Sequence, residues 1–218
     1  MELWTQWLNA IHGLLIFLSS SVGLGTGFGI VALTLLLRTL ILPISWPIAY
    51  RGSIRQRKML RLQPELARLK LDHGTEPRIY AERLMKLYQD NGMTMMDWRS
   101  VLGSLMQMPL FLGMYQTLRA GVNGARFLWV ETLARPDPVF AVLAALTTML
   151  MMAANPDLPE QMRLILILVP SILAAVAALK FCSALAVYWT VSNCYSAIQT
   201  SALHYVLARR IRSGAVSI

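Results

Sequence analysis

Arg38 is the one charged residue in an otherwise apolar run from Gly27 to Trp46. Eleven positions past Gly27 places it about 16 Å along a helix, near the middle of a hydrocarbon core about 30 Å thick. An arginine there costs about 2.5–3.5 kcal/mol on the insertion scale, so it faces a partner or a water-filled cavity. The apolar runs near 27–46, 101–118, 139–154, 162–179 and 183–207 contain no Asp or Glu. A proton or ion relay across the membrane would need such carboxylates, and so would an internal salt bridge. The guanidinium also keeps its proton at any ordinary pH. Two readings remain. Arg38 could bond backbone carbonyls or Gln107, Tyr188 or Asn193 and serve only to fix packing, or it could stand as a positive charge in a hydrated pocket, open to an acidic or polar group from outside the chain.

Other polar residues outline one side of such a pocket. Thr34 lies one turn outward of Arg38 on the same helix face, Gln107 falls early in the second run, and Tyr188, Ser192 and Gln199 share a face of the last. Thirteen methionines, several of them near the second run, suit a surface that accepts varied apolar partners, and ordinary core filling explains them equally well. Searches for catalytic chemistry fail. His12, His73 and His204 lack metal-ligand spacing, and there is no phosphate-binding glycine loop, nucleophile elbow or zinc helix. Cys182 and Cys194, on a continuous helix, would stand about 18 Å apart, beyond the roughly 7 Å that a disulfide allows. No enzyme activity, metal or cofactor is expected.

The elements that must hold these residues follow from composition. Of 218 residues 56% are hydrophobic and 14% charged, with a net charge of +9 and a mean hydropathy of +0.52. That excess over the roughly 45–50% apolar and 25% charged of soluble domains predicts an all-α integral membrane protein. The stripe Trp4, Trp7, Leu8, Ile11, Leu14, Leu15 and Leu18 predicts an interfacial amphipathic helix over 1–22, with a short sixth span as the alternative. No Lys or Arg precedes Arg38, so a secretory signal's positive leader is not expected. Five spans are expected at 27–48, 100–119, 139–154, 162–179 and 183–207, the first ended by Pro43 and Pro47.

Half of the basic residues fall between Arg51 and Lys86. They predict a cytoplasmic helical hairpin over 50–92, turning at His73-Gly74-Thr75-Glu76-Pro77 with Gly74 as a C-cap and Thr75 as a possible N-cap. Arg55, Arg57, Lys58 and Arg61 are its candidate contacts, while a solvated positive-inside flank explains the charge equally well. Pro64 either opens or kinks the lower part of the hairpin's first helix. An outer loop over 120–138 is formally neutral, and a short tail over 208–218 carries Arg209, Arg210 and Arg212. Five crossings put the N-terminus outside and both basic segments inside, so the charge reports topology rather than nucleic-acid binding.

Several strings in this order resemble the YidC/Oxa/Alb insertase family. They are Gly29-Ile30 before Leu37-Arg38 and Leu42-Pro43, then Leu62-Gln63-Pro64 and Gln107-Met108-Pro109, then Phe127-Leu128-Trp129, Pro136-Asp137-Pro138 and Tyr188-Trp189-Thr190-Val191-Ser192-Asn193. The chain departs from the family pattern at Gly92 to Trp98 and at Lys180 and Cys182. The resemblance implies a membrane insertase and chaperone of the bacterial plasma membrane, with nascent membrane proteins and the lipid bilayer as partners. It implies a substrate groove holding Arg38, Thr34, Gln107, Tyr188, Ser192 and Asn193, and it leaves ribosome, targeting factors and Sec translocon open as partners of the hairpin. The alternative is an assembly partner or holdase that inserts nothing.

Overall fold

The computed structural model describes residues 2–23, 25–93, 98, 105, 107–122 and 124–214, with the backbone alone at 107, 120 and 121. Among them every regular element is helical, apart from an isolated bridge between Phe127 and Val130. The helices are α1 (Glu2–Ile16), α2 (Gly25–His73), α3 (Pro77–Asp90), α4 (Gln107–Gly121), α5 (Pro138–Ala153), α6 (Arg163–Ala178) and α7 (Ser183–Arg212). A π-helical turn, Phe17–Ser21, joins α1 to α2, and a short 3-10 turn, Glu160–Met162, precedes α6. The expected second span, 100–119, is described only from 107 onward apart from Leu105.

Residue size decides how closely these helices approach. Gly113 lets α1 settle on α4, because a Cβ there would lie 2.7 Å from Trp7 Nε1 and 2.8 Å from Ile11 Cδ1. Trp7 Nε1 accordingly donates to the Pro109 carbonyl one turn away at 3.3 Å, and Ile11 and Leu15 are buried. The tryptophan stripe of α1 thus has a protein partner. At the start of α2, Gly27 and Gly29 leave room for the Phe127 ring and for Ser19 of the π-helical turn.

The α2 helix differs from expectation. Neither Pro43 and Pro47 nor the supposed hairpin boundary near 50 interrupts it; one helix of 49 residues passes through Pro43, Pro47 and Pro64, about 73 Å long at 1.5 Å per residue. Each proline removes a ladder donor and crowds the carbonyl four residues back. Pro43 and Pro47 are both exposed and one turn apart, so those losses fall on the outer side, while Ser45 between them meets Gln199 of α7 at 3.3 Å. Packing holds the helix through the breakers.

The hairpin turn falls at the expected residues with a different cap. The Gly74 amide donates to the Lys70 carbonyl at 2.9 Å, and a Cβ on Gly74 would sit 2.3 Å from that oxygen. Close approach, and not a left-handed backbone, requires glycine here. Thr75 does not cap α3; Glu76 occupies the N-cap without a side-chain bond, and Pro77 opens the helix.

The loop before α5 closes one end of the bundle. Its bridge places Leu128 at φ 50, and Trp129 and Phe127 both stack on Phe140. Asp137 caps α5, accepting from the Phe140 amide at 2.9 Å and from Trp129 Nε1 at 3.3 Å. The first turn of α7 has orphan N–H groups like any helix start, and its N-cap Cys182 offers no side-chain bond. The loop supplies the acceptors. Ser183 N donates to the Arg135 carbonyl at 2.9 Å and Ala184 N to that of Leu133 at 3.1 Å. Thus α5 and α7 start from one fixed loop, with α2 packed on α7 and α5 between α6 and α7.

Candidate functional site

Parallel packing of α2 on α7 forms a polar seam. Thr39 accepts from Tyr195 at 3.5 Å, and Gln199 Nε2 donates to Ser45 Oγ at 3.3 Å. Arg38 donates from Nε to Ser192 Oγ at 2.9 Å, and its Nη2 also meets that hydroxyl. Its partner is therefore Ser192, and neither Tyr188 nor Asn193 bonds it. Among the described residues no carboxylate pairs with Arg38. Arg38 is half-buried, and of its five N–H donors those beyond the Ser192 contacts, including both on Nη1, have no partner among the described residues.

The other expected residues divide sharply. Tyr188 is buried, its ring 6.5 Å from that of Phe111, and its hydroxyl lies beside Ser192 without completing a bond of ordinary geometry. Thr34 is fully buried and spends its hydroxyl on the Ile30 carbonyl at 2.7 Å, so it lines no open space. Asn193 points away from Arg38, because one residue turns a helix by about 100°. Its Nδ2 donates to Thr148 Oγ1 of α5 at 2.8 Å, and the Thr148 hydroxyl in turn donates to the Ala144 carbonyl at 2.7 Å. That buried relay ties α5 to α7. The side chain of Gln107 lies outside the described residues. Beside the seam, Leu35, Leu36, Thr39, Leu40 and Pro43 line an open apolar hollow of about 560 Å³.

Among the hairpin residues, Arg57 donates from Nε to Asp157 Oδ2 at 2.7 Å and from Nη2 to His204 Nδ1 at 3.1 Å. Arg55 and Arg61 also have interactions within the chain. Asp157, in the short connection between α5 and α6, was not anticipated. The signal was there: a lone acid between Asn155 and Pro159, on the expected side of the basic hairpin. The cysteines are free, as their spacing required.

A profile of the family described as 60Kd inner membrane protein matches residues 17–210. The chain belongs to this family. The stretch shared with the 60Kd inner membrane protein family includes the seam, the loop before α5 and the Arg57–Asp157 pair. Among the relatives, the membrane protein insertase YidC of Clostridium perfringens is 30% identical over 213 residues, 91% of this chain and 87% of that protein. YidC 1 of Listeria monocytogenes is 32% identical over 185 residues, 79% and 61% respectively. The insertase YidC of Cellvibrio japonicus is 29% identical over 214 residues, 95% of this chain but only 37% of its own length. The chain thus spans about a third of some relatives and most of others. Membership makes it a bacterial inner-membrane protein of the insertase family.

Proposed function

We propose that the chain is a membrane protein insertase and chaperone. It passes client transmembrane segments with short polar or acidic outer tails through a hydrated groove at the α2–α7 seam, then releases them sideways into lipid. The carrying observation is Arg38: a half-buried positive charge whose bonding partner in the described residues is a neutral hydroxyl. An aspartate on a client costs about 2.5–3.5 kcal/mol at the membrane centre. A cation at 4 Å returns about 4 kcal/mol at an effective dielectric of 20. The seam can offset the tail's cost with no nucleotide, and transfer of the apolar part into lipid drives release.

In this reading the spans are the apolar part of α2, the helix that includes α4, and then α5, α6 and α7. The N-terminus faces outward and the basic hairpin and tail face the cytoplasm. Two helices, Gly25–His73 and Glu160–Ala178, are long and apolar enough to cross, and Pro138–Ala153 is a shorter apolar helix. The clients are nascent membrane proteins.

The test is photo-crosslinking to nascent membrane proteins in cells from a probe at Thr39 or Leu40, which are exposed beside Arg38, with Thr34 as the buried control. Crosslinks to clients at 39 and 40 support insertion. An Arg38→Ala chain that still inserts every client would favour the assembly-partner reading, in which the Arg38–Ser192 bond only fastens two helices.

A further inference from the structure

At the far end of the seam from the loop before α5, a second polar cluster joins three segments distant in sequence. Two neighbouring residues of α2 grip one loop residue. Gln56 Nε2 donates to the Asp157 carbonyl at 2.8 Å, and Arg57 Nε donates to the Asp157 carboxylate at 2.7 Å. Asn155 completes the loop side: its Oδ1 accepts from the Asp157 amide at 3.0 Å, and its Nδ2 donates to Gln56 Oε1 at 3.3 Å. The Gln56 amide is thereby used at both ends.

His204 brings in α7. An arginine N–H can only donate, so the 3.1 Å contact from Arg57 Nη2 makes His204 Nδ1 an acceptor and leaves the ring proton on Nε2. The 3.4 Å approach of Nδ1 to Asp157 Oδ2 is then a close packing of two acceptors, both oriented by one guanidinium. Side-chain exposure is 19% for Arg57, 12% for Asp157 and 9% for His204. A pair so sheltered from water is costly to break from one side, because the remaining charge stays buried without the partner that compensated it.

The register of the contacts gives the cluster its meaning. Between Ser45 and Arg57 α2 advances twelve residues, while between Gln199 and His204 α7 advances five. At 1.5 Å per residue the two paths differ by about 10 Å. Arg57 covers much of this by reaching back, since helical side chains lean toward the N-terminus, and Asp157 fills the space where α2 has outrun its neighbour. Pro43 and Pro47 each remove one ladder donor between Arg38 and Arg57, so contacts at the lower end add to the ladder in holding the direction of α2.

We propose that Asp157 is a positioning residue: through Arg57 it fixes how the lower half of α2, and the α3 hairpin it carries, stands relative to α7. The consequence for client insertion rests on the function proposed above, whereas the geometry does not. Spin labels at Ala81 of α3 and Ser201 of α7, in the full chain with both native cysteines replaced and held in nanodiscs, read the geometry. Asp157→Asn is expected to lose the single narrow distance of the unsubstituted chain. Asp157→Glu should keep it, and the exchange Arg57→Asp with Asp157→Arg should recover it relative to either single change. An unaltered distance in Asp157→Asn, with the chain folded by its melting transition, overturns the proposal. So does an exchange pair no better than its single members.

Insertion by the same variants separates this idea from the function. Asp157→Asn should slow clients with acidic and neutral tails alike, since it displaces the hairpin and leaves Arg38 in place. A displaced hairpin with undiminished insertion overturns the link to insertion. An unsubstituted chain that inserts nothing overturns the proposed function and leaves the distances to judge Asp157.

Discussion

Replacing Arg38 by alanine removes the standing charge beside Ser192, and the size of the effect follows from what the client must carry. A carboxylate near the membrane centre costs about 2.5–3.5 kcal/mol, and the attraction of a cation 4 Å away, about 4 kcal/mol at an effective dielectric of 20, is enough to offset it. Losing about 3 kcal/mol of that support slows crossing about 100-fold, at a factor of ten for each 1.36 kcal/mol. The loss applies only to tails with a negative charge. A client whose tail is polar but neutral should change little. Arg38→Lys keeps the charge and loses the planar fork that sits over Ser192, so it should stay within about tenfold of the unsubstituted chain, since the Coulombic part survives. The assay is depletion of the cell's own insertase with complementation by each variant. It scores protease protection of matched clients that differ only in an Asp or Asn in the outer tail. Equal slowing of both clients by Arg38→Ala would refute the reasoning, because it would show that the arginine acts by holding α2 to α7. Normal insertion of the acidic client would refute it as well.

Three further changes probe the frame around the seam. Asn193→Leu, which breaks the bond to Thr148, should lower stability in detergent by about 1 kcal/mol, within the range measured for hydrogen bonds between membrane helices, and thermal unfolding reads it directly. Asp137→Ala removes the cap of α5 and the acceptor of Trp129; it should cost about 1 kcal/mol and show increased hydrogen exchange in the loop before α5. Gly113→Val puts atoms where Trp7 and Ile11 now lie, and it should release α1 from α4, seen as faster proteolysis of the first 20 residues with the remainder intact.

Residue types revealed more of this protein than helix boundaries did. Arg38 stands out in the sequence because a charge among leucines is anomalous wherever its helix lies. The absence of acids from the apolar runs was likewise readable. Which hydroxyl Arg38 would meet was not, because helical periodicity gives the faces of one helix and says nothing of its rotation against the next. Ser192 and Asn193 differ by one position, yet one meets Arg38 and the other meets α5. Thr34 has the right spacing for the pocket, but its hydroxyl is satisfied by its own helix. Prolines at 43 and 47 are sound stop signals for an isolated helix and were overridden by tertiary contacts of α2 with α7. Asp157 is not legible as a contact because an acid in a short loop, with Glu160 three residues on, looks like ordinary surface until the chain is folded.

The uninterrupted course of α2 also bears on how sequences of this kind can lengthen or shorten. Arg38 and Arg57 lie on one continuous helix and both engage α7, one through Ser192 and the other beside His204. One residue inserted between them would rotate the lower contact by about 100° and advance it about 1.5 Å, parting Arg57 from Asp157 even though no contacting residue had changed. Past His73, where the helix ends in an exposed turn, the same insertion would alter only the length of the hairpin. Tolerance to insertion and deletion should therefore change abruptly along this single helix, with the interval between the two arginines held to a fixed count and the hairpin tip free to vary.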